Sequence, residues 1–238
     1  SHGVLTSRDA GVCLRARDMG VPLASCADHF GKSVSAIHRA MLRERVVRLH
    51  SLPLRWIVLP TFNRPDADEV LLGMEVVDRN LPGPDLVLDI RESATSCSQS
   101  DRERMVVASH WLLSRASAAL ASLNQQPDAG QVDAIESDLR WSGRLRAAVV
   151  RQGLPSALQA CEHWLGRPVW GLPREEAIRW QRQCIQACWE VVEALEPRWS
   201  SRLESRCISA MDRVLATRKP ASRTRAAANH DSTELQFV

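Results

Sequence analysis

The stretch ADHFGKSVSAIHRA, Ala27 to Ala40, sets a small residue, a glycine four positions on and a branched apolar residue six after that. This spacing restricts the local fold more than any other feature of the chain. Upstream, Ser7 is suited to cap a helix through RDAGVCLRARDM, and Gly20 stops it as a left-handed C-terminal residue. Pro22 opens a second helix, where a missing N–H costs little, and Leu23, Cys26, Ala27 and Phe30 fall on one face of it. Gly31 ends that helix. Ser33 caps a third, running to about Leu49 with Ile37, Ala40 and Met41 turned inward.

Each marked position has a mechanical reason in a helix-turn-helix. Ala27 is small where two helices cross, Gly31 supplies the positive φ of the turn, and Ile37 fills the space between the helices. The N-terminal half of the third helix is the segment such a unit lays in a major groove. Ser33, Ser35, Ala36, His38 and Arg39 are then candidates for the DNA-facing end, and Lys32, Arg43 and Arg45 for phosphates. The competing reading is a three-helix bundle whose arginines are only a solvated face. A single unit of this kind seldom binds tightly, so dimerisation or a further DNA-binding element is expected.

The net charge of +3 hides a segregation. Residues 1–50 hold eight Lys or Arg against four acids, and residues 60–105 hold five against ten. Clustered positive charge is the footprint that nucleic-acid binding requires. There is no apolar run of eighteen or more residues, so no membrane span is expected and the reading is cytoplasmic. Seven cysteines, an odd number in a chain of 238 residues, do not form the pattern of a secreted disulfide framework. Cys184 and Cys188 stand one helical turn apart on an apolar stripe and, with Cys161 and His163, lack the short-loop spacing of a structural zinc site. No phosphate-binding loop, nucleophile elbow or metalloprotease motif occurs. No metal, no cofactor and no catalytic residue is expected.

Eight tryptophans, three phenylalanines and no tyrosine accompany few β-branched runs, which favours an all-α fold. LRWIVLP, residues 54–60, is the only strand-like run, followed by an acid-capped turn near Asp66. Residues 1–78 read as a helix-turn-helix domain with a short extended segment, and residues 79–100, with Pro-Gly-Pro and a serine-rich end, as a linker. Residues 101–216 read as a bundle of five helices, with separate helices on either side of Gly153-Leu154-Pro155, and 217–238 as a disordered basic tail. The bundle's fourth helix, Arg174 to Leu195, carries Arg179, Arg182, Gln183, Gln186, Glu190 and Glu193 opposite its apolar stripe. That mixed face suits a protein partner rather than a phosphate track.

VVRQGLPSALQACEHWLG and then GLPREEAIRWQRQCIQACWEVVEALEPRWSSRLESRCISAMDRVL resemble the conserved helical domain of bacterial primary-type sigma factors. The second piece keeps the leading Leu-Pro, the apolar rhythm and the Pro197 turn, with about three extra residues before that proline. RMVVASHWLLSRASAAL, QVDAIESDLRWSGRLRAAV and LPLRWIVLPTFNRPDADEVLLG are similar to segments of one divergent group of that family, which also carries an N-terminal helix-turn-helix. The resemblance covers most of residues 7–216. It implies a transcription protein that binds double-stranded DNA and RNA polymerase core, the fourth helix being the polymerase-docking one. The family's Glu-Gly-Asn signature is absent at Gln181 to Cys184, and the positions matching its promoter-melting aromatics read Leu203, Arg206, Cys207, Ser209 and Ala210. Melting in the family manner is therefore not expected. The alternative is a protein-interaction adaptor derived from a sigma factor that no longer binds DNA.

Overall fold

The computed structural model describes residues 4–77, 97–123 and 128–217. The chain is all-α, with eight α-helices and no strand among the described residues. Three helices form the N-terminal unit: α1 (Ser7–Asp18), α2 (Leu23–Phe30) and α3 (Val34–Ser51). The cap of α1 is Thr6 rather than Ser7: its hydroxyl accepts from the Asp9 N–H at 3.2 Å while the Asp9 carboxylate accepts from the Thr6 N–H at 3.0 Å. The Ser7 hydroxyl instead donates to Glu44 of α3. Pro22 stands at the N-cap of α2, one position before the expected first turn. Gly31 takes φ 60°, the left-handed conformation that the tight turn into α3 needs. Cys13, Cys26, Ala27, Ile37 and Met41 close a small core between the three helices.

Residues 52–59 are extended but pair with no strand, so LRWIVLP is a strap and not a strand. Two prolines bound it and two side chains tie it to the bundle: the Ile57 N–H donates to His110 Nδ1 at 3.3 Å, and Arg146 Nη2 donates to the Arg55 carbonyl at 3.3 Å. A short helix, α4 (Ala67–Leu72), follows. Phe62, Ala67 and Leu71 pack with Trp56, Leu59, Val107 and Trp111, joining strap and α4 to the next long helix. Asp68 completes the seam, accepting from Trp111 Nε1 and Arg115 Nη1, each at 2.7 Å. By contact, residues 54–77 belong with the C-terminal bundle.

That bundle comprises α5 (Gln99–Ala121), α6 (Ala129–Leu165), α7 (Arg174–Glu193) and α8 (Leu203–Ala216). Ser98 caps α5 through the Asp101 N–H at 3.0 Å, so helix replaces the last residues of the expected linker. The rest of that linker and the basic tail from Arg218 lie outside the described residues. The expected break at Gly153-Leu154-Pro155 is absent: α6 runs unbroken for 37 residues, about 56 Å, with Pro155 inside it. Pro155 removes one helical N–H, but the turns around it are held by burial, since Leu154 and Ala157 are closed off from solvent by the neighbouring helices. The bundle core spans α5 to α8, and Leu112, Leu145, Leu195, Leu203 and Met211 are fully buried in it. Six of the seven cysteines are buried as small apolar groups. Hydrogen bonds to the thiols of Cys161 and Cys207, reinforced by burial, push the Cys184 and Cys188 thiols well above their ordinary range and keep them uncharged.

Candidate nucleic-acid interface

The geometry of α3 sorts the expected DNA-binding residues into two groups. At 100° per residue, Ala36, Arg39 and Arg43 stand on successive turns of one face, with Ser35 beside them. Ser35, Arg39 and Arg43 are exposed, and Lys32 and Ala36 are half-buried at the same end. Ser33 is the N-cap, its hydroxyl accepting from the Ala36 N–H at 3.2 Å, so it holds the helix end in shape. Arg39 lies along the helix, Nε donating to the Ser35 carbonyl at 3.4 Å. Lys32, Arg39 and Arg43 have no carboxylate partner among the described residues. His38 is half-buried and turned to the side that Arg45 shares, seven residues further on.

Arg45 departs from the expected phosphate contact. Its guanidinium reaches α6 instead, with Nη2 2.5 Å from Asp133 Oδ1 and Nε 2.8 Å from Glu136 Oε1. These bonds, Glu136 first, raise its pKa and hold Asp133 below the usual carboxylate range. The ion pairs border an apolar seam in which Leu49 of α3, flanked by Leu42 and Val46, packs with Ala116, Leu120, Val132 and Ile135. The candidate reading helix is therefore fixed to the bundle by its own C-terminal half. Spacing could not reveal this, because the two carboxylates lie about ninety positions away. Arg45→Ala should lower stability by about 1 kcal/mol or less, as for a partly exposed pair. Urea unfolding should show that loss shrinking at 1 M salt; a loss that is the same at both salt levels would mean the pair contributes packing rather than charge.

On α7 the six expected partner-binding residues fall within one stripe about 100° wide. Arg179, Arg182, Gln186, Glu190 and Glu193 are exposed, whereas Gln183 is half-buried and its Oε1 has no hydrogen-bond partner among the described residues. Gln186 donates to Glu190 at 3.2 Å, and Trp189 Nε1 donates to Glu193 at 2.8 Å. Glu190 and Glu193 lie in the last turn of α7, which contains no basic residue, so both face the negative end of the helix dipole. Helix stability alone would place cations there.

Two groups escaped the sequence reading. His110 is fully buried at the crossing of strap, α5 and the end of α7, and its signal was its place on the buried Val106–Leu113 stripe. Arg198, Arg202 and Arg206 gather round Trp199, and their signal was the four-residue spacing. Among the described residues no group of three or more His, Cys, Asp or Glu is placed to hold a metal ion, and no helix is long and apolar enough to cross a membrane. No family model matches the chain, and comparison with curated proteins and with solved structures likewise finds no match.

Proposed function

We propose that the chain is a DNA-binding, sigma-factor-like transcription protein, in which α3 reads double-stranded DNA and the outer stripe of α7 docks on a protein partner, RNA polymerase core. The observation that carries the reading is the exposed N-terminal half of α3. It follows a left-handed glycine turn and presents Lys32, Arg39 and Arg43 with no carboxylate partner among the described residues. Arg45 and Arg48 by contrast are used inside the chain, against α6 and Glu44. Charge left unpaired at the groove-facing end and paired elsewhere is what phosphate and base-edge contacts call for.

For the partner stripe, support comes from Glu190 and Glu193, placed where the helix dipole disfavours them. A basic surface on the partner would offset that cost. The resemblance of residues 149–166 and 171–215 to sigma-type helices supplies polymerase core as the partner to test.

The DNA half is tested by anisotropy titration of labelled duplexes. Arg39→Glu should weaken binding to every duplex by about tenfold or more, and His38→Ala should reorder sequence preference with a smaller loss. Unchanged affinity in both variants would remove α3 from the DNA and leave the adaptor reading.

A further inference from the structure

We propose that the cleft between the N-terminal unit and the bundle is a binding site for a small phosphorylated ligand of the nucleoside diphosphate class. The site lies apart from the groove-facing end of α3 and does not depend on what that end binds.

The cleft has a volume of about 430 Å3 and is walled by the C-terminal ends of α1 and α3 and by the first third of α6. Small-molecule sites run from about 300 to 1,000 Å3. Four guanidiniums from three helices line it: Arg17 of α1, Arg45 and Arg48 of α3, and Arg140 of α6. Its lining holds two carboxylates, Asp18 and Glu136. Glu136 is shared, accepting from Arg45 Nε at 2.8 Å on one oxygen and from Arg140 Nη1 at 3.3 Å on the other. Outside the lining, Asp133 holds Arg45 Nη2. Among the described residues Arg48 meets one acid, Glu44 at 2.9 Å from Nε, and Arg17 meets none. A guanidinium carries five N–H donors, so each of the four keeps several to give. Gly11 shows that Arg48 is placed rather than free. A Cβ at this buried position of α1 would come to 3.1 Å from Arg48 Nη2 and 3.8 Å from Arg15 Nη1. Glycine inside a helix costs about 1 kcal/mol against alanine, and here it makes room for two guanidiniums of like charge. An anion beside Arg48 relieves their repulsion.

The lining selects the ligand. Guanidinium edges match phosphate oxygens in pairs, which a lysine ammonium does not do. Arginines supplied by three separate helices suit a group with more than one phosphate. The rest of the lining is Leu14, Leu49 and Leu52, which suits a flat apolar base. A phosphate ester that carries such a base meets both halves of the site. Duplex DNA is the wrong source of phosphate for geometric reasons. At 100° per residue Arg48 stands half a turn round α3 from Arg39, so a duplex lying on the Arg39 face does not reach it. A bound ligand would instead tie α1 and α3 to α6.

The test is a calorimetric titration of the full chain with adenosine diphosphate, with inorganic pyrophosphate and with adenosine. Adenosine diphosphate should bind once per chain, pyrophosphate more weakly because it leaves the leucines uncovered, and adenosine without measurable heat. Arg17→Ala with Arg140→Ala should weaken adenosine diphosphate by about tenfold or more, since charge-assisted contacts to phosphate are lost. Arg167→Ala with Arg174→Ala, an equal charge change at exposed positions outside the cleft, should keep the wild-type affinity. If the cleft pair unfolds by circular dichroism, Leu52→Glu takes its place, bringing a repelling charge into the lining at an exposed position. No heat from the wild type with adenosine diphosphate, equal affinity for pyrophosphate, or an equal loss in the two double variants overturns the proposal. Anisotropy with a labelled duplex separates the sources of phosphate. The cleft variant should bind DNA as the wild type does, and a loss there would assign these arginines to nucleic acid and overturn the proposal as well.

Discussion

Gly153→Val should lower the free energy of unfolding by about 3 kcal/mol, the upper part of the range for overpacking a closed core. A Cβ on Gly153 would come to 2.5 Å from Cys207 Sγ, with Leu203 at 3.5 Å behind it. Cys207 is a short, fully buried side chain with no flexible end to swing away. Even Gly153→Ala should destabilise, although alanine gains about 1 kcal/mol of helix propensity over glycine. The clash outweighs the propensity because α6 and α8 must separate to relieve it. The coupling supplies the check. In a Cys207→Ala background the sulfur is gone, and Gly153→Ala should become neutral or stabilising in urea unfolding. Equal destabilisation in both backgrounds would show that the glycine does not mediate the α6–α8 crossing.

The second large effect is one of pH. Burial, with a smaller contribution from the Arg146 charge, depresses the His110 pKa from 6.5 to about 4, although its hydrogen bond to the Leu195 carbonyl opposes the shift. His110 Nδ1 accepts the Ile57 N–H, which places the ring proton on Nε2, 3.2 Å from the Leu195 carbonyl oxygen. The neutral ring thus ties the strap to the end of α7. As pH falls through 6.5 the unfolded chain takes up a proton that the folded chain refuses until about pH 4. The contribution is therefore present above pH 6.5 and lost between 6.5 and 4, amounting to about 3 kcal/mol. His110→Gln should flatten the pH dependence of unfolding in that window relative to wild type. Carboxylates that titrate in the same range cancel in the difference. Parallel curves for the two proteins would mean that His110 is protonated in the fold or reached by solvent.

The local order of helices was legible because caps and glycines act over three or four residues. Gly31, Ser33 and Gly166 each end or start a helix where the pattern places them. Gly153 misled for a physical reason. A glycine followed closely by proline signals a turn in an exposed chain, whereas here the glycine admits α8 and the packed neighbours keep the helix continuous through Pro155. LRWIVLP reads as a short extended segment and is one, but its partners were not legible, since an apolar extended run has the same pattern whether its hydrogen bonds go to a strand or to His110 and Arg146. In the candidate interface, the faces of α3 and α7 followed from helical period alone. The redirection of Arg45 to Asp133 and Glu136 did not, because it depends on which helices meet.

One gel shift addresses both surfaces of the proposed function together: a labelled duplex bound by the full chain, with RNA polymerase core added. The account expects a binary complex that core shifts to a slower one, and a Glu190→Lys, Glu193→Lys variant that keeps the binary complex but loses the slower band. Absence of the binary complex at low salt, together with no effect of the α7 reversal on any band, would contradict it.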